Sequence, residues 1–580
     1  MKRCPKCNRV ENDEALKFCR VDGATLVIDS SSFSGEAGTA QLGASPDASE
    51  VHTSILPHRT DANINRATAS STVLPAPAAP SVTRKLSKPK RLTIVVSVLV
   101  IAIIVIAMLI GGFFYFSRKE NAAIQSIAVL PLENRSGSAD TDYLSDGLAD
   151  SLIYRLSQLP NLKVSPTSSV MRYKGKETDV AAVAKALHVD AVMSGRLVQR
   201  GDDLSISVQL IDARSNKVIW AEQYERKMSD LLATQRDIAA SIAQKLQLKL
   251  AGDEKGITKK YTNSNEAYRF YLLGRSSWNK RNADALKKSI EYFNEAIEQD
   301  PNFALAYAGL ADSYGVLPYY SAASPEQSIP KAKAAARKAL EIDDSLAEAH
   351  TALAYELVAY DWNFTESARE FQRAIELNPG YATAHQWYGD RTLVTLGRID
   401  EALVELRRAA QLDPLSLIIN ADLGDSYIHA RQYDQAIEQL RRTIEIDPNF
   451  YNAHWRLGKA YEANGSVQDA LAEYQRARQL NDDPLVLASL GHLFGSSGKR
   501  DQAMKTLDQL QEMAKERYVS AYSFAIVYEG LGDKEKAFQW LEKGYQERVF
   551  EMNFLKVDPL LEGLRSDPRF GDLVRRVGLR

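Results

Sequence analysis

The sequence predicts a mainly α-helical protein, in which an α-solenoid of repeated helix pairs follows a small α+β domain, one long apolar helix and a short cysteine-containing head. Three observations predict this: residues of fixed type recur about every 34 positions in the C-terminal half, one 25-residue stretch has no charge, and all three cysteines lie within the first 19 residues. The 580-residue chain has a net charge of −2, so no strong electrostatic field favours nucleic acid. We therefore expect several domains and no nucleic-acid partner.

Residues that commonly bind metal open the chain. Two residues separate Cys4 from Cys7, and the same spacing separates Cys19 from Asp22. Two such pairs can hold one tetrahedral ion through three thiolates and one carboxylate, and bound metal would supply most of the folding free energy of so short a segment. The pattern resembles degenerate zinc ribbons, which implies a structural zinc ion in residues 1–28. The alternative is that the three thiols are free.

A tether and a long apolar stretch follow the head. Residues 29–91 are rich in Ser, Thr, Ala, Pro and Gly, and we expect a disordered tether because such a segment buries too little apolar surface to fold. Residues 92–116 carry no charge and can cross a hydrocarbon core of about 30 Å as one transmembrane helix. Five basic residues lie in the eight positions before this stretch, and two follow it. This asymmetry predicts a single-pass protein of the bacterial inner (plasma) membrane with a cytoplasmic N-terminus and a periplasmic body.

Apolar periodicity predicts an α+β domain over residues 124–251. The order of its elements is strand, helix, strand, helix, three strands and a final helix. The expected strands are 126–132, 162–164, 191–199, 204–212 and 217–224, and the expected helices are 143–159, 179–187 and 231–250. Such an order is typical of a sheet with helices packed against it.

Four segments of this domain resemble the TolB amino-terminal-like domain. They are AVLPLENRSG at 128–137, YLSDGLADSLIYRLSQLPNLKV at 143–164, VDAVMSGRLVQRGDDLSISVQLID at 189–212 and WAEQYER at 220–226. In bacterial membrane proteins this domain commonly precedes tetratricopeptide repeats. The resemblance implies a non-catalytic, periplasmic module for interaction or sensing.

A repeat of about 34 residues dominates the chain from residue 265 to residue 545. Small, aromatic and proline residues recur in register, at Gly424, Gly458 and Gly491; at Tyr427, Tyr461, Phe494 and Tyr528; at Ala436, Ala470, Ala503 and Ala537; and at Pro379, Pro414 and Pro448. Small residues let paired helices approach closely, and proline ends the second helix. The pattern resembles about eight tetratricopeptide repeats (TPR), and residues 546–580 should form helices that cap the open end.

The resemblance to tetratricopeptide repeats also implies a concave groove, lined by particular positions of the first helix in each pair. Nine residues occupy such positions: Tyr268, Tyr271, Arg275, Gln386, Asp390, Asp425, His429, Trp455 and Lys459. Aromatic and charged groups mixed along one groove would suit protein or peptide partners, because ring burial gives affinity and paired charges give register. The alternative is that these residues only coat a solvated trough.

The sequence offers no catalytic motif. It has no Gly-x-x-x-x-Gly-Lys-Ser/Thr loop, no Gly-x-Ser-x-Gly turn and no His-Glu-x-x-His pair. His350, His385 and His454 share one position of the first helix, where we expect them to pack. A shared metal is the alternative, but successive repeats would hold the rings too far apart for one ion. We therefore expect no enzymatic activity and no small-molecule substrate.

These features predict a membrane-anchored scaffold whose repeats and TolB-like domain bind proteins in the cell envelope. A second interpretation is a transmembrane signalling receptor, in which the outer body senses a ligand and the zinc-binding head relays the state. A strongly bound partner would favour the scaffold. Ligand-dependent exposure of the head's thiols would favour the receptor.

Overall fold

The computed structural model describes residues 2–3, 10–11, 27–28, 124–137, 141–159, 162–176, 179–246 and 259–579. The chain forms two compact units, Met1–Ile94 and Val95–Arg580. In the first unit, three two-residue strands pair antiparallel in the order β2-β1-β3; they are β1 Lys2–Arg3, β2 Val10–Glu11 and β3 Val27–Ile28.

The predicted zinc ligands lie outside the described residues. These ligands are Cys4, Cys7, Cys19 and Asp22. The expected tether, 29–91, falls outside them as well. Both the zinc site and the tether therefore stay predictions.

The predicted single-pass inner-membrane localisation needs correction. Across the part of the chain that the structure describes, no helix is both long and apolar enough to cross a membrane. The longest of these helices, Pro325–Ile342, has 18 residues and carries four basic side chains, which are costly to place in hydrocarbon. The apolar stretch 92–116, on which the prediction rested, lies outside the described residues. The predicted inner-membrane localisation and its orientation are therefore not supported.

The second unit begins with an α+β domain built on a six-stranded sheet. Its strands β4 to β9 are Ser126–Val129, Glu133–Asn134, Lys163–Val164, Ala191–Arg200, Asp203–Asp212 and Lys217–Lys227. Their order is β6-β4-β7-β8-β9. The short strand β5 pairs with β7, farther along that strand than β4 does. Strand β4 is parallel to β6 and β7, whereas β7, β8 and β9 form an antiparallel meander. Helices α1 to α4 are Asp142–Ser157, Thr167–Val170, Val180–Leu187 and Leu231–Lys245.

Apolar spacing explains where these elements form. In β8, the buried residues Leu204, Ile206 and Val208 alternate with more exposed polar residues, as in a sheet covered on one face. In α1, Leu144 and Leu148 are fully buried at a spacing of four, which places them on one helical face. Each expected element begins within one residue of an observed element, because these patterns are local.

Eight helix pairs follow among the described residues, and we call them repeats 1 to 8, each with a helix A and a helix B. Repeats 1 to 4 are Asn265–Trp278 with Ala283–Gln299, Ala304–Val316 with Pro325–Ile342, Ala347–Ala359 with Phe364–Leu377, and Ala382–Trp387 with Ile399–Leu412. Repeats 5 to 8 are Leu417–His429 with Tyr433–Ile446, Tyr451–Ala463 with Val467–Leu480, Pro484–Ser496 with Arg500–Glu516, and Ala521–Gly530 with Lys534–Gln546. In repeat 4, a π-helical turn, Tyr388–Leu393, continues helix A.

Repeat 6 illustrates why small residues recur in this array. A methyl group on Gly458 of helix A would lie 2.4 Å from Cδ1 of Tyr474 in helix B, a distance that no carbon pair tolerates. Ala470 of helix B is fully buried. The two small residues therefore set how closely the paired helices approach, and a larger side chain would push them apart.

After repeat 8 the chain turns back along the A helices. It forms two 3₁₀ helices, Phe550–Phe554 and Pro559–Leu564, and then helix α5, Pro568–Arg576. We call residues 549–564 the C-terminal segment. Just before it, Arg548 Nη1 donates to the carbonyl oxygen of Tyr360 in repeat 3, at 2.8 Å. The chain that follows repeat 8 therefore returns to the middle of the array.

Candidate functional site

The nine predicted groove residues divide into two groups along the A helices. The first group, Tyr268, Tyr271 and Arg275, lies in repeat 1, and two of its members contact the α+β domain. The hydroxyl oxygen of Tyr268 is 2.7 Å from both Ser151 Oγ and Gln235 Oε1, and Arg275 Nε pairs with Asp150 at 3.2 Å. Helix A of repeat 1 thus docks the preceding domain.

The Tyr271 ring lies between aromatic neighbours of its own array, with its centroid 5.2 Å from that of Phe303 and 5.9 Å from that of Phe293. Burial raises the pKa of the Tyr271 phenol well above its usual value. This residue therefore packs inside the array in the described structure.

The second group lies in repeats 4, 5 and 6 and belongs to a buried charged network. Arg456 pairs with Asp422, and Lys459 Nζ lies 3.1 Å from Asp425 Oδ1. Asp422 also accepts a hydrogen bond from Gln386 Nε2 at 2.6 Å. These three contacts join helix A of one repeat to helix A of the next, so they connect repeats 4, 5 and 6 laterally.

The repeat period explains the position of these ion pairs. Asp422 and Arg456 are 34 residues apart, and so are Asp425 and Lys459. Residues one period apart occupy equivalent positions in neighbouring A helices, which stack side by side in a solenoid. Opposite charges at that spacing therefore face each other across the groove surface.

In repeat 4 the π-helical turn positions another charged pair. Asp390 Oδ2 and Arg391 Nη1 are 2.9 Å apart, although the two residues are adjacent in sequence. A regular α-helix would point consecutive side chains about 100° apart, and a π-helical turn changes that direction. Burial raises the pKa of the Asp390 carboxyl group above its usual value, against the lowering effect of the Arg391 charge.

Burial and charge act in opposite directions on the network. Burial acts to raise the pKa of Asp425, but the charges of Lys459 and Arg456, with neighbouring His429 and the hydrogen bond from Lys459, together outweigh it and hold that pKa well below its usual value. Burial lowers the pKa of His429 to about 4, so this imidazole is neutral at pH 7. His429 is therefore a neutral aromatic neighbour of the Asp422–Arg456 and Asp425–Lys459 pairs.

The C-terminal segment covers this network. The Phe550 ring stacks on Tyr355 with centroids 6.1 Å apart, and the Arg391 guanidinium lies 4.7 Å from the same ring. The Phe554 ring stacks on His429 at 5.3 Å. These contacts combine ring burial with a cation–π interaction.

Polar contacts hold the same segment. Asp558 accepts a hydrogen bond from the Tyr522 hydroxyl at 2.7 Å and another from the backbone N–H of Leu560 at 2.9 Å. Glu529 Oε1 accepts from the N–H of Gly563 at 2.9 Å. Rings and polar groups therefore hold the segment against repeats 3 to 8.

Trp455 lies beside the network rather than free in a groove. Its Nε1 donates to Ser489 Oγ in repeat 7 at 2.9 Å, and Lys459 Nζ lies 5.4 Å from the ring centroid. A cavity of about 60 Å³ separates Trp455, Arg456 and Lys459 from the C-terminal segment. At repeats 4 to 6 the chain's own residues therefore cover the groove side, with this cavity between them.

Comparison with known proteins gives two matches to families. Residues 421–484 match the tetratricopeptide-repeat model. The array is a tetratricopeptide-repeat solenoid. Residues 123–241 match the second domain of HilA/YgeH-like transcriptional regulators. Beside that match, the resemblance to the TolB amino-terminal-like domain stays a prediction.

Relatives with quite different names share part of the chain. It is 30% identical over 235 residues to "Putative adenylate cyclase 3" of Rhizobium meliloti, covering 40% of this chain and 40% of that protein. It is 22% identical over 291 residues to "Transcriptional regulator HilA" of Salmonella typhimurium, covering 50% of this chain and 51% of that protein. The chain therefore spans only about half, or less, of the length of these curated relatives.

Similar solved structures include tetratricopeptide-repeat proteins. YrrB, "a TPR protein with an unusual peptide-binding site", is 24% identical, with a TM-score of 0.24, over 34% of this chain and 96% of that one. Pseudomonas aeruginosa PilF is 24% identical, with a TM-score of 0.29, over 37% of this chain and 92% of that one.

The three histidines that were expected to pack are hydrogen-bonded clasps. Nδ1 of His350 lies 2.5 Å from Glu370 in helix B of its own repeat, and Nε2 lies 2.9 Å from the carbonyl oxygen of Asp344. His385 and His454 repeat this geometry in repeats 4 and 6. Among the described residues, no group of three or more His, Cys, Asp or Glu could hold a metal ion.

Sequence reasoning missed Asp422, Arg391, Arg456 and the residues of the C-terminal segment. A readable signal existed for Arg456, because an acidic residue lies one repeat period before it at Asp422. No such signal exists for the contact between Phe554 and His429, which are far apart in the sequence. Long-range contacts of this kind follow from the curvature of the whole array.

Proposed function

We propose that this chain is a protein-interaction scaffold whose tetratricopeptide array binds protein or peptide partners. The observation that supports it best is the C-terminal segment itself. The groove already holds a polypeptide through two stacked rings, Phe550 and Phe554, and one acidic side chain, Asp558. A partner segment with aromatic and acidic residues would find the same contacts.

Within this proposal the two groups of groove residues have different roles. Tyr268 and Arg275 position the α+β domain on the array, and Tyr271 packs inside the array. Gln386, Asp390, Asp425, His429, Trp455 and Lys459 form the part that a partner would contact. Because the C-terminal segment covers that part, a partner would have to displace it, and the displacement would reduce net affinity.

The scaffold proposal can be tested by crosslinking the full chain to its partners in cells and identifying them by mass spectrometry. Phe554→Ala weakens the cover, so it should raise the yield of crosslinked partner. Trp455→Ala removes an aromatic contact and should weaken partner binding by about 1–2 kcal/mol. Equal yields from the wild type and from both variants would contradict binding in this groove.

A second candidate is a regulatory module, which the matches at residues 123–241 and to a named regulator and a named cyclase favour. A segment shared by proteins with such different names would modulate an output and not perform it. Its test is the alkylation rate of Cys4, Cys7 and Cys19 in the full chain, with and without bound partner. A partner-dependent rate favours regulation, and an unchanged rate favours the scaffold.

We also propose a structural zinc ion in the head, supported by the donor set alone. Three thiolates from Cys4, Cys7 and Cys19 with a carboxylate from Asp22 suit tetrahedral zinc. The full chain should contain one zinc ion per molecule by elemental analysis, and Cys7→Ser should lose it. Asp22→Ala should weaken binding less, because water can replace an oxygen ligand. A metal-free wild type purified without chelator would contradict the proposal.

A further inference from the structure

The cavity beside the charged network has polar and apolar walls. Helices A of repeats 4 to 8 and the C-terminal segment enclose it. Arg391, Arg456 and Lys459 are among the residues that line it, and Ile526, Phe550, Phe554 and Leu485 contribute apolar surface. All three cationic side chains are more than nine-tenths buried. Buried cations beside an apolar wall are an arrangement that ligand sites use to orient a small molecule.

The cations have unused hydrogen-bonding capacity. Within the part of the chain that the structure describes, Arg391 Nε and Arg456 Nε have no hydrogen-bond partner. Lys459 Nζ can donate three hydrogen bonds, and Asp425 accepts one of them. Leaving buried donors unpaired costs free energy, so each such group calls for an explanation.

The acidic residues around the cavity are already occupied. Asp425 accepts from Lys459, and Asp422 accepts from Gln386 and Arg456. Asp558 accepts from Tyr522 and from the backbone N–H of Leu560. Glu551, the third carboxylate in the cavity wall, accepts from Ser520 Oγ at 3.0 Å. Among the charged side chains that line the cavity in the described structure, the buried atoms without a partner are thus donors, which favours an anionic ligand over a cationic one.

The size of the cavity restricts that ligand. A single water needs roughly 10–15 Å³ of such space, so the cavity of about 60 Å³ has room for roughly four to six non-hydrogen atoms. A carboxylate presents two oxygens in a plane, which matches guanidinium donors. The rings of Phe550 and Phe554 leave room for a short apolar tail, which inorganic phosphate lacks.

We propose that this cavity binds a small monocarboxylate of about four to six non-hydrogen atoms. Its oxygens would accept from Arg391, Arg456 and Lys459, and its carbon tail would lie against Phe550 and Phe554. This goes beyond the proposed scaffold, because the ligand would contact both the groove and the C-terminal segment that covers it. Bound ligand would therefore hold the cover closed against a competing partner.

Isothermal titration calorimetry of the full chain with sodium propionate tests the proposal. Propionate should bind, acetate should bind more weakly, and neutral propanol and inorganic phosphate should bind at least tenfold more weakly than propionate. Equal binding of propanol would overturn the role of the cations, and stronger binding of phosphate would overturn the role of the tail. Absence of propionate binding at millimolar concentration would overturn the site itself.

Two variants locate the binding. Ile526→Phe adds ring atoms to the cavity wall and keeps every cation, so it should lower propionate affinity at least tenfold. The double variant Asp425→Asn with Lys459→Met removes both members of an ion pair and should lower it similarly. The matched control, Lys333→Met with Asp361→Asn, removes a partly buried pair outside the cavity and should leave affinity unchanged. Wild-type affinity in Ile526→Phe, or equal loss in the control, would contradict the assigned site.

Discussion

Two regions of the groove, at repeat 1 and at repeats 4 to 6, are covered by different means. At repeat 1, the α+β domain lies on Tyr268 and Arg275 through neutral hydrogen bonds and one ion pair. At repeats 4 to 6, the groove residues first pair with each other between neighbouring A helices, and the C-terminal segment then covers them. The first region is a domain interface, whereas the second is a charged network covered by the C-terminal segment.

This difference shows how one repeat position can serve two purposes. In a tetratricopeptide array the same helical positions recur in each unit, so their side chains always face the groove. What they contact there depends on which other segment of the chain reaches them. We expect the two regions to respond differently to substitution. Removing one member of a buried ion pair leaves an unpaired charge, which costs more free energy than the loss of one neutral hydrogen bond.

The largest effect is expected from Asp422→Ala. It leaves Arg456 buried without its carboxylate, and breaking a buried pair in this way costs about 3–5 kcal/mol. Chemical denaturation of the full chain should therefore show an early transition for the central repeats. The double variant Asp422→Asn with Arg456→Met should recover much of the loss. If the loss of stability in the double variant equalled the sum of the losses in Asp422→Asn and in Arg456→Met alone, the two residues would not be coupled.

Phe554→Ala should have the next largest effect. It removes a ring that is stacked on His429 and 9% exposed, and such truncations cost about 3 kcal/mol or more. Limited proteolysis should then cleave the C-terminal segment faster, while repeat 1 and the α+β domain keep their resistance. If repeat 1 and the C-terminal segment became equally sensitive to the protease, the two regions would be coupled and not independent.

A pH dependence should appear in repeats 6 to 8. His492 lies between Glu462 and Glu529, with its nitrogens 2.6 and 2.7 Å from their oxygens. Burial acts to lower the pKa of His492, but the two carboxylates outweigh it and raise that pKa to about 10. The folded-state pKa thus exceeds the usual value of about 6.5. The resulting stability is complete below about pH 6.5 and is lost as pH rises through about 10.

Stability measured between pH 7 and pH 9 tests this assignment. The wild type should lose on the order of 2 kcal/mol over that interval, seen as a falling thermal midpoint. His492→Gln should be less stable at pH 7 and should show a smaller dependence on pH. The same slope in both proteins would remove His492 as the cause.

The smallest effect is expected from Tyr268→Phe at the domain interface. It removes one hydroxyl that contacts Ser151 and Gln235 and keeps the ring, so the cost should be about 1 kcal/mol. Ser151→Ala is the matched change on the other side of the interface. Thermal unfolding should show a lowered midpoint for the α+β domain only. A loss of stability as large as that in Asp422→Ala would mean that the two regions respond to substitution in the same way.

The sequence predicts the elements of this fold better than it predicts the contacts of the site. Helix pairs follow from the spacing of residues such as Gly458 and Ala470, and that spacing is local. The register also places Asp425 and Lys459 at equivalent positions of neighbouring repeats, and the structure pairs these two side chains. Each of these side chains pairs with a residue one repeat period away. An acidic and a basic residue 34 positions apart in the sequence could have indicated that pairing.

The cover of the groove could not be predicted in the same way. Residues 546–580 were expected to cap the end of the array, and helix α5 follows repeat 8 there. Phe550 and Phe554, however, contact repeats 3 to 5, because the array curves enough to bring its end near its middle. Curvature accumulates from small rotations in every repeat, so no short stretch of sequence encodes it.

Hydrogen–deuterium exchange of residues 549–564 in the full chain tests the central claim, that the groove holds the chain's own segment. This segment should be protected to a degree comparable to the A helices of repeats 4 to 6, and Phe554→Ala should lose that protection selectively. Protection of the α+β domain should stay unchanged in that variant, which serves as an internal control. Rapid exchange of residues 549–564 in the wild type, beside protected repeats, would contradict the account.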